Sequence, residues 1–305
     1  MVGVAGRQRQ WLVRALFLVA VASLLPTPAA ATIGGASPTV RDNYYFIDSI
    51  DAGSPKPAYL AESMTGSTNY NFGDEVDGAV ENIPIGFSFK FYGLTYTAFS
   101  AQSAGYIWFG AAADGNGYRT CCVAPSTMPA YIDDGTIQTV IENAIFGAYA
   151  DYDGYHNYCT RGEPVHVKTF GSAPARMTAI EFYQLRYEVT DPVSCDGGPP
   201  APAPNQCSCT KVTFQIKLWE TSNLIEVHWV SEGAPGPDTW QNLNSGVLSG
   251  IQAGGSSYLQ YFFDTDPAAL QGRAVRFRPA NTAPVAAADT ATTPCNTAVT
   301  ITVVN

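Results

Sequence analysis

The chain has 305 residues, of which 46% are hydrophobic and 14% charged, and its formal net charge is −10. This composition is typical of a globular chain and excludes a disordered or fibrous one. The acidic balance also argues against nucleic acid as a partner, because binding to phosphates requires clustered positive charge. Its simplest role is solubility, since net charge governs solubility and association.

The first 31 residues have the order of charge, hydrophobe and small side chains that is typical of a signal peptide. Arg7, Arg9 and Arg14 precede an uncharged apolar run, which extends over Ala15–Leu25, and Ala29–Ala31 supplies small residues for cleavage. A membrane anchor would need about 20 apolar residues, so this run is too short, and no other segment is predicted to span a bilayer. We therefore predict cleavage after Ala31, a secreted or cell-surface location, and a mature charge of −13, because residues 1–31 carry three Arg and no acid.

Strand patterns dominate the mature chain, and helical periodicity is almost absent. The segment Ile85–Gly93 alternates Ile85, Phe87, Phe89 and Phe91 with small or polar residues, which predicts one buried face and places Tyr92 on the other. In Ile180–Val189 the apolar phase starts with Ile180 and Phe182 and then changes to Tyr183 and Leu185. A change of phase by one residue predicts a β-bulge.

The clearest pattern is a hairpin formed by Thr213–Leu218 and Ile225–Trp229, with a turn between them. Its apolar residues are predicted to face each other across the strands: Phe214, Ile216 and Leu218 against Ile225, Val227 and Trp229. Its polar residues are predicted to point into solvent: Gln215, Lys217, Glu226 and His228.

Further strands are predicted at 44–50, 95–100, 106–109, 144–150, 165–170, 247–252, 258–263 and 274–277. Many short strands between Gly-rich turns favour an all-β, antiparallel β-sandwich with jelly-roll or immunoglobulin-like layering. We assign residues 32–279 to one such domain with long disulfide-tied loops. The Ala/Thr/Pro-rich residues 280–296 read as a linker, and residues 297–305 alternate like the first strand of a further unit.

Seven cysteines follow the export signal, and export favours disulfides. Cys195 is expected to pair with Cys207 or Cys209, because either bridge would close the Pro-rich insert at 196–204. Cys121 and Cys122 are adjacent, so at least one of them is expected to reach elsewhere, and Cys159 is the nearest partner in sequence. Metal binding is the competing interpretation, although neither cluster has the Cys-x-x-Cys spacing of a zinc site.

The loop that begins at Asp151 holds the best site for a cation or a catalytic base. Asp151 and Asp153 could offer carboxylate oxygens to calcium, but Asp-x-Asp-Gly is only a fragment of a calcium loop, and turns favour the same residues. His156 in this loop lacks the partners of a catalytic site. His166 and His228 fall on predicted strands and are interpreted as solvent-facing. No other cofactor is predicted.

The predicted strands also carry a resemblance to a known family. The segments 83–93, 103–110, 146–153, 213–227 and 249–252, in this order, resemble the nidogen- and plexin-type β-sandwich of secreted and surface proteins, including bacterial ones. The tail, at 281–289 and 299–305, resembles the opening strand of a cadherin-like or immunoglobulin-like repeat of bacterial surface proteins. The Cys121 loop and the Pro-rich insert depart from the family pattern.

These resemblances imply a non-enzymatic adhesion or structural module of a modular surface protein, with an extracellular protein or glycan as its partner. The alternative is a carbohydrate-binding module or a secreted glycan hydrolase. In that case aromatic side chains would stack on sugar rings, and the residues expected to do so are Trp108, Tyr152, Tyr155 and Trp240, with Tyr258 as a further one.

Overall fold

The fold is seen in a computed structural model that describes residues 44–52, 55–72, 78–113, 128–133, 138–150, 152, 165–186, 211–230, 246–264 and 267–279. Within these residues the regular structure consists of fifteen β-strands and one 3-10 turn, Pro267–Leu270. The predicted all-β class is therefore confirmed. The predicted signal peptide at 1–31, the linker at 280–296 and the terminal strand at 297–305 lie outside the described residues.

The strands, in chain order, are β1 Tyr44–Asp48, β2 Thr68–Tyr70, β3 Ala79–Phe91, β4 Leu94–Gln102, β5 Tyr106–Trp108, β6 Tyr131–Asp133, β7 Gln138–Val140, β8 Ala144–Tyr149, β9 Val165–Phe170, β10 Met177–Arg186, β11 Lys211–Trp219, β12 Ile225–Trp229, β13 Val247–Gly254, β14 Ser257–Asp264 and β15 Ala274–Pro279. A seven-stranded antiparallel sheet has the order β1-β15-β12-β11-β10-β9-β2, and a six-stranded one has the order β14-β13-β8-β5-β4-β3. The two sheets share one hydrophobic core, so the predicted sandwich is confirmed.

The β11–β12 hairpin has the predicted register, because Phe214 pairs with Trp229, Ile216 with Val227 and Leu218 with Ile225. All six side chains are fully buried. Here the sheets approach closely: the indole N–H of Trp229 donates a hydrogen bond of 2.9 Å to the carbonyl oxygen of Gly147 in β8. The apolar face of this hairpin thus fixes the distance between the two sheets.

Strand β3 buries Ile85, Phe87, Phe89 and Phe91 as predicted. The prediction for Tyr92 is wrong, because its side chain is fully buried as well. Tyr92 and the following glycine both have positive φ angles, 42° and 84°, in the tight turn between β3 and β4. This turn directs the ring inward, where it lies 4.8 Å from the ring of Tyr44 between centroids.

The predicted bulge in β10 is confirmed, since the register with β11 shifts between Phe182 and Leu185. Gln184 has a φ of 50° at this point. Leu185 is buried, whereas Tyr183 is 36% exposed, so the change of phase falls after Tyr183 rather than before it.

A second hydrophobic cluster covers the outer face of the six-stranded sheet. Its aromatic members are Tyr106, Trp108, Phe146 and Tyr149, and it lies under residues 128–130 and strands β6 and β7. Gln252 anchors this cover from the sheet: its Oε1 accepts the N–H of Ala130 at 2.8 Å, and its Nε2 donates to the carbonyl of Ile141 at 2.6 Å. The fold therefore has a partial third layer.

Candidate functional site

Most of the side chains predicted for a site lie outside the described residues. This holds for Asp151, Asp153, Tyr155 and Trp240, for His156, and for the cysteines Cys121, Cys122, Cys159, Cys195, Cys207 and Cys209. The disulfides, the calcium site and stacking by Tyr155 or Trp240 remain predictions.

Three of the predicted stacking residues are described: Trp108 and Tyr152 are buried, and Tyr258 in β14 is partly buried against the cluster outside the six-stranded sheet. Trp108 and Tyr152 are each 1% exposed. Trp108 packs in the cluster outside the six-stranded sheet, whereas Tyr152 belongs to the core between the sheets. Neither ring can stack on a sugar in this structure, because stacking requires an accessible aromatic face and both rings are buried.

The prediction that the polar residues of the hairpin point into solvent is wrong. Gln215, Lys217, Glu226 and His228 are at most 4% exposed, and His166 is only partly accessible. These residues do alternate with the core residues and lie on the outer face of the seven-stranded sheet. They are buried because another part of the chain lies over that face.

The cover is a segment of irregular backbone, residues 57–65, which we call the strap. It lies in the connection between β1 and β2, the two opposite edges of the seven-stranded sheet. Leu60 contacts His228 in β12, Glu62 contacts Gln215 in β11, and the carbonyl of Thr65 contacts Lys168 in β9. The strap therefore crosses the sheet from β12 to β9 before β2 pairs with β9.

Side chains of the sheet satisfy the main chain of the strap, which has no strand partner of its own. Gln215 accepts the N–H of Glu62 and donates to its carbonyl, both at 2.8 Å. Lys217 donates to the carbonyl of Leu60 at 2.6 Å, and the Nδ1 of His228 accepts the N–H of Leu60 at 3.2 Å. These bonds matter because a buried main-chain group without a partner costs about 1–3 kcal/mol.

Charged groups alternate along this buried face. The Nζ of Lys217 lies 3.0 Å from the Oε1 of Glu62, and the Nε of Arg276 donates to the Oε1 of Glu226 at 2.6 Å. The other oxygen of Glu226 lies 3.0 Å from the Nε2 of His228. Charges that are removed from water are tolerated only when they are paired in this way.

The surroundings shift the pKa values of two of these groups. Burial lowers the pKa of His228, the hydrogen bond with Glu226 opposes this effect, and the charge of Lys217 adds to it. Burial acts to raise the pKa of Glu226, but the hydrogen bond with His228 and the charge of Arg276 outweigh burial, so this pKa lies below its ordinary value. The geometry and these shifts describe a neutral imidazole beside a carboxylate.

An ion pair closes one edge of the sandwich. Arg176 binds Glu220 through its Nε at 2.8 Å and through its Nη2 at 2.6 Å. Its Nη1 also donates to the carbonyl of Gly86 in β3 at 2.7 Å, so this arginine joins the two sheets. The hydrogen bonds from Arg176 lower the pKa of Glu220 to about 2.

The opposite edge is closed by Tyr261 in β14 and Asp48 in β1. The Tyr261 hydroxyl donates to the Oδ2 of Asp48. Burial, together with the neighbouring Asp48 carboxylate, holds the pKa of Tyr261 far above its ordinary value. Both edges of the sandwich are thus joined by polar side chains as well as by the core.

A cleft of 390 Å³ lies where β2 and β9 meet β3, lined by Tyr70, Pro84, Gly86, Lys168 and Thr169 among others. The ammonium group of Lys168 is already bound to the carbonyls of Ser63 and Thr65, at 3.1 and 2.7 Å. The cleft therefore presents one lysine that is already bound to the main chain, among tyrosine, proline, valine, threonine and glycine residues, rather than a set of convergent reactive groups.

In the part of the chain that the structure describes, no group of three or more His, Cys, Asp or Glu residues could hold a metal ion. The two described histidines are both paired with glutamates, His166 with Glu181 at 3.1 Å and His228 with Glu226 at 3.0 Å. Sequence reasoning found these residues but missed their role, because the residues that cover them lie far away in the chain and have no strand pattern.

Together these features define a class of protein, an antiparallel β-sandwich module. Ionisable side chains on the outer face of its seven-stranded sheet hold the strap, and polar side chains at two edges join the two sheets. The chain belongs to the NIDO-related family, because the model of that family matches residues 56–294. This confirms the resemblance to the nidogen type and indicates an extracellular module of structural or adhesive kind. Neither the curated proteins nor the solved structures gave a match. No helix among the described residues is both long and apolar enough to cross a membrane.

Proposed function

We propose that the chain is a non-enzymatic adhesion or structural module of a larger exported or surface protein. The observation that supports this proposal best is that the ionisable side chains on the outer face of the seven-stranded sheet are buried and form structural hydrogen bonds. His228, Lys217 and Glu226, which could act as bases or acids elsewhere, are at most 4% exposed and are bound to the strap or to one another. A catalytic group must reach its substrate, and these groups face the protein.

Membership of the NIDO-related family supports the same proposal, as does the signal peptide predicted at residues 1–31. The predicted linker at 280–296 and the cadherin-like strand at 297–305 fit a module that is followed by repeats. We propose that the partner is an extracellular protein or a glycan and that the fold needs no cofactor, with calcium at Asp151 and Asp153 as the alternative.

The test uses the full chain, expressed with its own leader and an epitope tag in a secreting host. The tagged protein is expected in the medium or at the protease-accessible cell surface, and beads coated with it are expected to attach to protein-coated or glycan-coated surfaces. Beads coated with the heat-denatured chain are the control. Retention in the cytoplasm, or equal attachment by both kinds of beads, would contradict the proposal.

A second arm separates adhesion from the glycan-processing alternative. The same protein is incubated with a panel of polysaccharides, and released reducing ends are measured alongside binding to a glycan array. Binding to glycans without release of reducing ends agrees with an adhesive module that binds glycans. Turnover that is lost after heat denaturation would replace our proposal with a hydrolase.

A further inference from the structure

The imidazole of His228 connects the seven-stranded sheet to the strap, and both of its nitrogens form hydrogen bonds. Its Nδ1 faces the N–H of Leu60 at 3.2 Å, and its Nε2 faces a carboxylate oxygen of Glu226 at 3.0 Å. A main-chain N–H can only donate, so Nδ1 must be unprotonated. Nε2 then carries the proton and donates to Glu226. The docked strap is therefore compatible only with this neutral tautomer.

We propose that His228 is a proton-operated latch: protonation of its Nδ1 releases Leu60 and lets the strap lift from the sheet while the two sheets stay packed. A protonated Nδ1 would place two N–H groups against each other. The ring cannot avoid this contact by moving into solvent, because it is 1% exposed. Leu60 is the partner that can move.

The strap has the features of a segment that opens locally. It forms no strand pairs, and of its larger aliphatic side chains Leu60 is 57% exposed and Met64 is only partly buried. Its attachment to the sheet rests on side-chain hydrogen bonds to a few main-chain groups, above all those of Leu60 and Glu62. Segments with few buried apolar contacts open at lower free energy than the core strands around them.

Charged and titratable side chains from four elements, β12, β11, β15 and the strap, surround the imidazole of His228. Glu226 lies on the same strand, Lys217 on β11, and Glu62 and the ring of Tyr59 on the strap, while Arg276 on β15 binds the far oxygen of Glu226. The two carboxylates favour a positive imidazole, whereas Lys217 and burial oppose it. Because Glu226 and Glu62 already have cationic partners, they compensate only in part for the charge of a protonated ring.

The direction of the pH effect follows from the lowered pKa of His228 in the docked state. After release the imidazole is hydrated and returns to an ordinary pKa of about 6.5. The docked strap is therefore fully favoured above that pH, and it loses stability as the pH falls from there through the lowered pKa. In this window the opening constant rises about tenfold per pH unit, because opening takes up one proton.

The test is hydrogen exchange of the full-length mature chain at about pH 7.5 and about pH 5, corrected for the intrinsic pH dependence of amide exchange. We expect the amides of Leu60 and Glu62 to lose protection by at least about tenfold at the lower pH. Amides of the β11 core, such as that of Ile216, should keep theirs. Unchanged protection of Leu60, or equal loss at Ile216, would overturn the proposal.

Two matched substitutions locate the proton. His228→Asn keeps an acceptor for the Leu60 N–H but does not titrate, so strap protection should no longer depend on pH. His166→Asn changes the other described histidine of the same face, which is paired with Glu181, and should leave the pH dependence intact. A pH effect that survives His228→Asn, or that disappears with His166→Asn, refutes the latch.

A measurement on the unaltered protein keeps the test independent of how the variants fold. The ¹⁵N shifts of the His228 ring report the tautomer and the titration directly. We expect an unprotonated Nδ1 at about pH 7.5, and a titration midpoint that coincides with the midpoint of strap opening. A protonated Nδ1 in the docked state, or two separate midpoints, would contradict the proposal.

Discussion

The ring of Phe214 lies directly on the main chain of Gly147, so that an added Cβ at Gly147 would be 2.1 Å from the Cε2 of Phe214. This contact joins β11 of one sheet to β8 of the other, beside the hydrogen bond from Trp229. The distance between the two sheets thus depends on the absence of a side chain at Gly147.

Gly147→Ala should destabilise the protein by about 1–3 kcal/mol or more, because the ring and both sheets must shift to admit the methyl group. Urea unfolding followed by tryptophan fluorescence measures the loss. Gly254→Ala is the matched control in β13, since an added Cβ there meets nothing within 4 Å. Equal stability of the two variants would show that the sheets do not pack as described.

Tyr261→Phe should cost about 1–3 kcal/mol of stability, because it leaves a buried oxygen of Asp48 without its donor. Differential scanning calorimetry would detect this as a lower unfolding temperature. Tyr45→Phe provides the comparison, since the half-buried ring of Tyr45 would keep its contact with Arg278. An unchanged transition in the Tyr261 variant would exclude a contribution of the bond to Asp48.

The pair of Arg176 and Glu220 predicts a defined acid sensitivity. The pKa of Glu220 is about 2 in the folded chain, below the ordinary 4.5, so its contribution to stability is complete above the ordinary value and is lost as the pH falls from there towards 2. Glu220→Gln should therefore flatten the decline of stability across this range.

Urea titrations at several pH values between the two pKa values check this, with Glu81→Gln as the control. Glu81 is an exposed carboxylate on β3, so its substitution should leave the slope as it is in the parent protein. A Glu220 variant with the parent slope would mean that the ion pair does not contribute to the acid response.

The seven cysteines predict at most three free thiols in the exported, denatured chain, because the two expected bridges use four of them. Thiol titration counts the free thiols, and a non-reducing peptide map should join Cys195 to Cys207 or Cys209. Five or more free thiols, or metal released on denaturation, would favour the competing interpretation of a metal site.

The alternation of apolar and polar residues was enough to predict most of the strands and the register of the β11–β12 hairpin. In a core strand this alternation alone indicates which face is buried. Strands β2, β6 and β7 were missed, because each has only three residues and, unlike the equally short β5, none is a continuous apolar run. The inward turn of Tyr92 was also missed, because it depends on a positive φ and not on strand phase.

The site was much harder to predict than the fold. Polar residues that alternate with a core, such as Gln215 and His228, have the same pattern whether water or another segment covers them. Their cover is the strap, which is irregular and therefore has no period of its own. Trp108 was misleading for the same reason, because it is buried in a cluster with Met128, Ala130, Ile132 and Ile141, which are distant in the chain.

The connection between β1 and β2 has a consequence for the order of folding. Leu60 finds its acceptor 168 residues later in the chain, and Glu62 finds Gln215 153 residues later. A segment that leaves the ribosome, or a translocation pore, near the beginning must wait until almost the whole sandwich has followed it. Contacts at such a separation form slowly, so strap docking belongs at the end of folding, when four neighbouring strands already lie side by side.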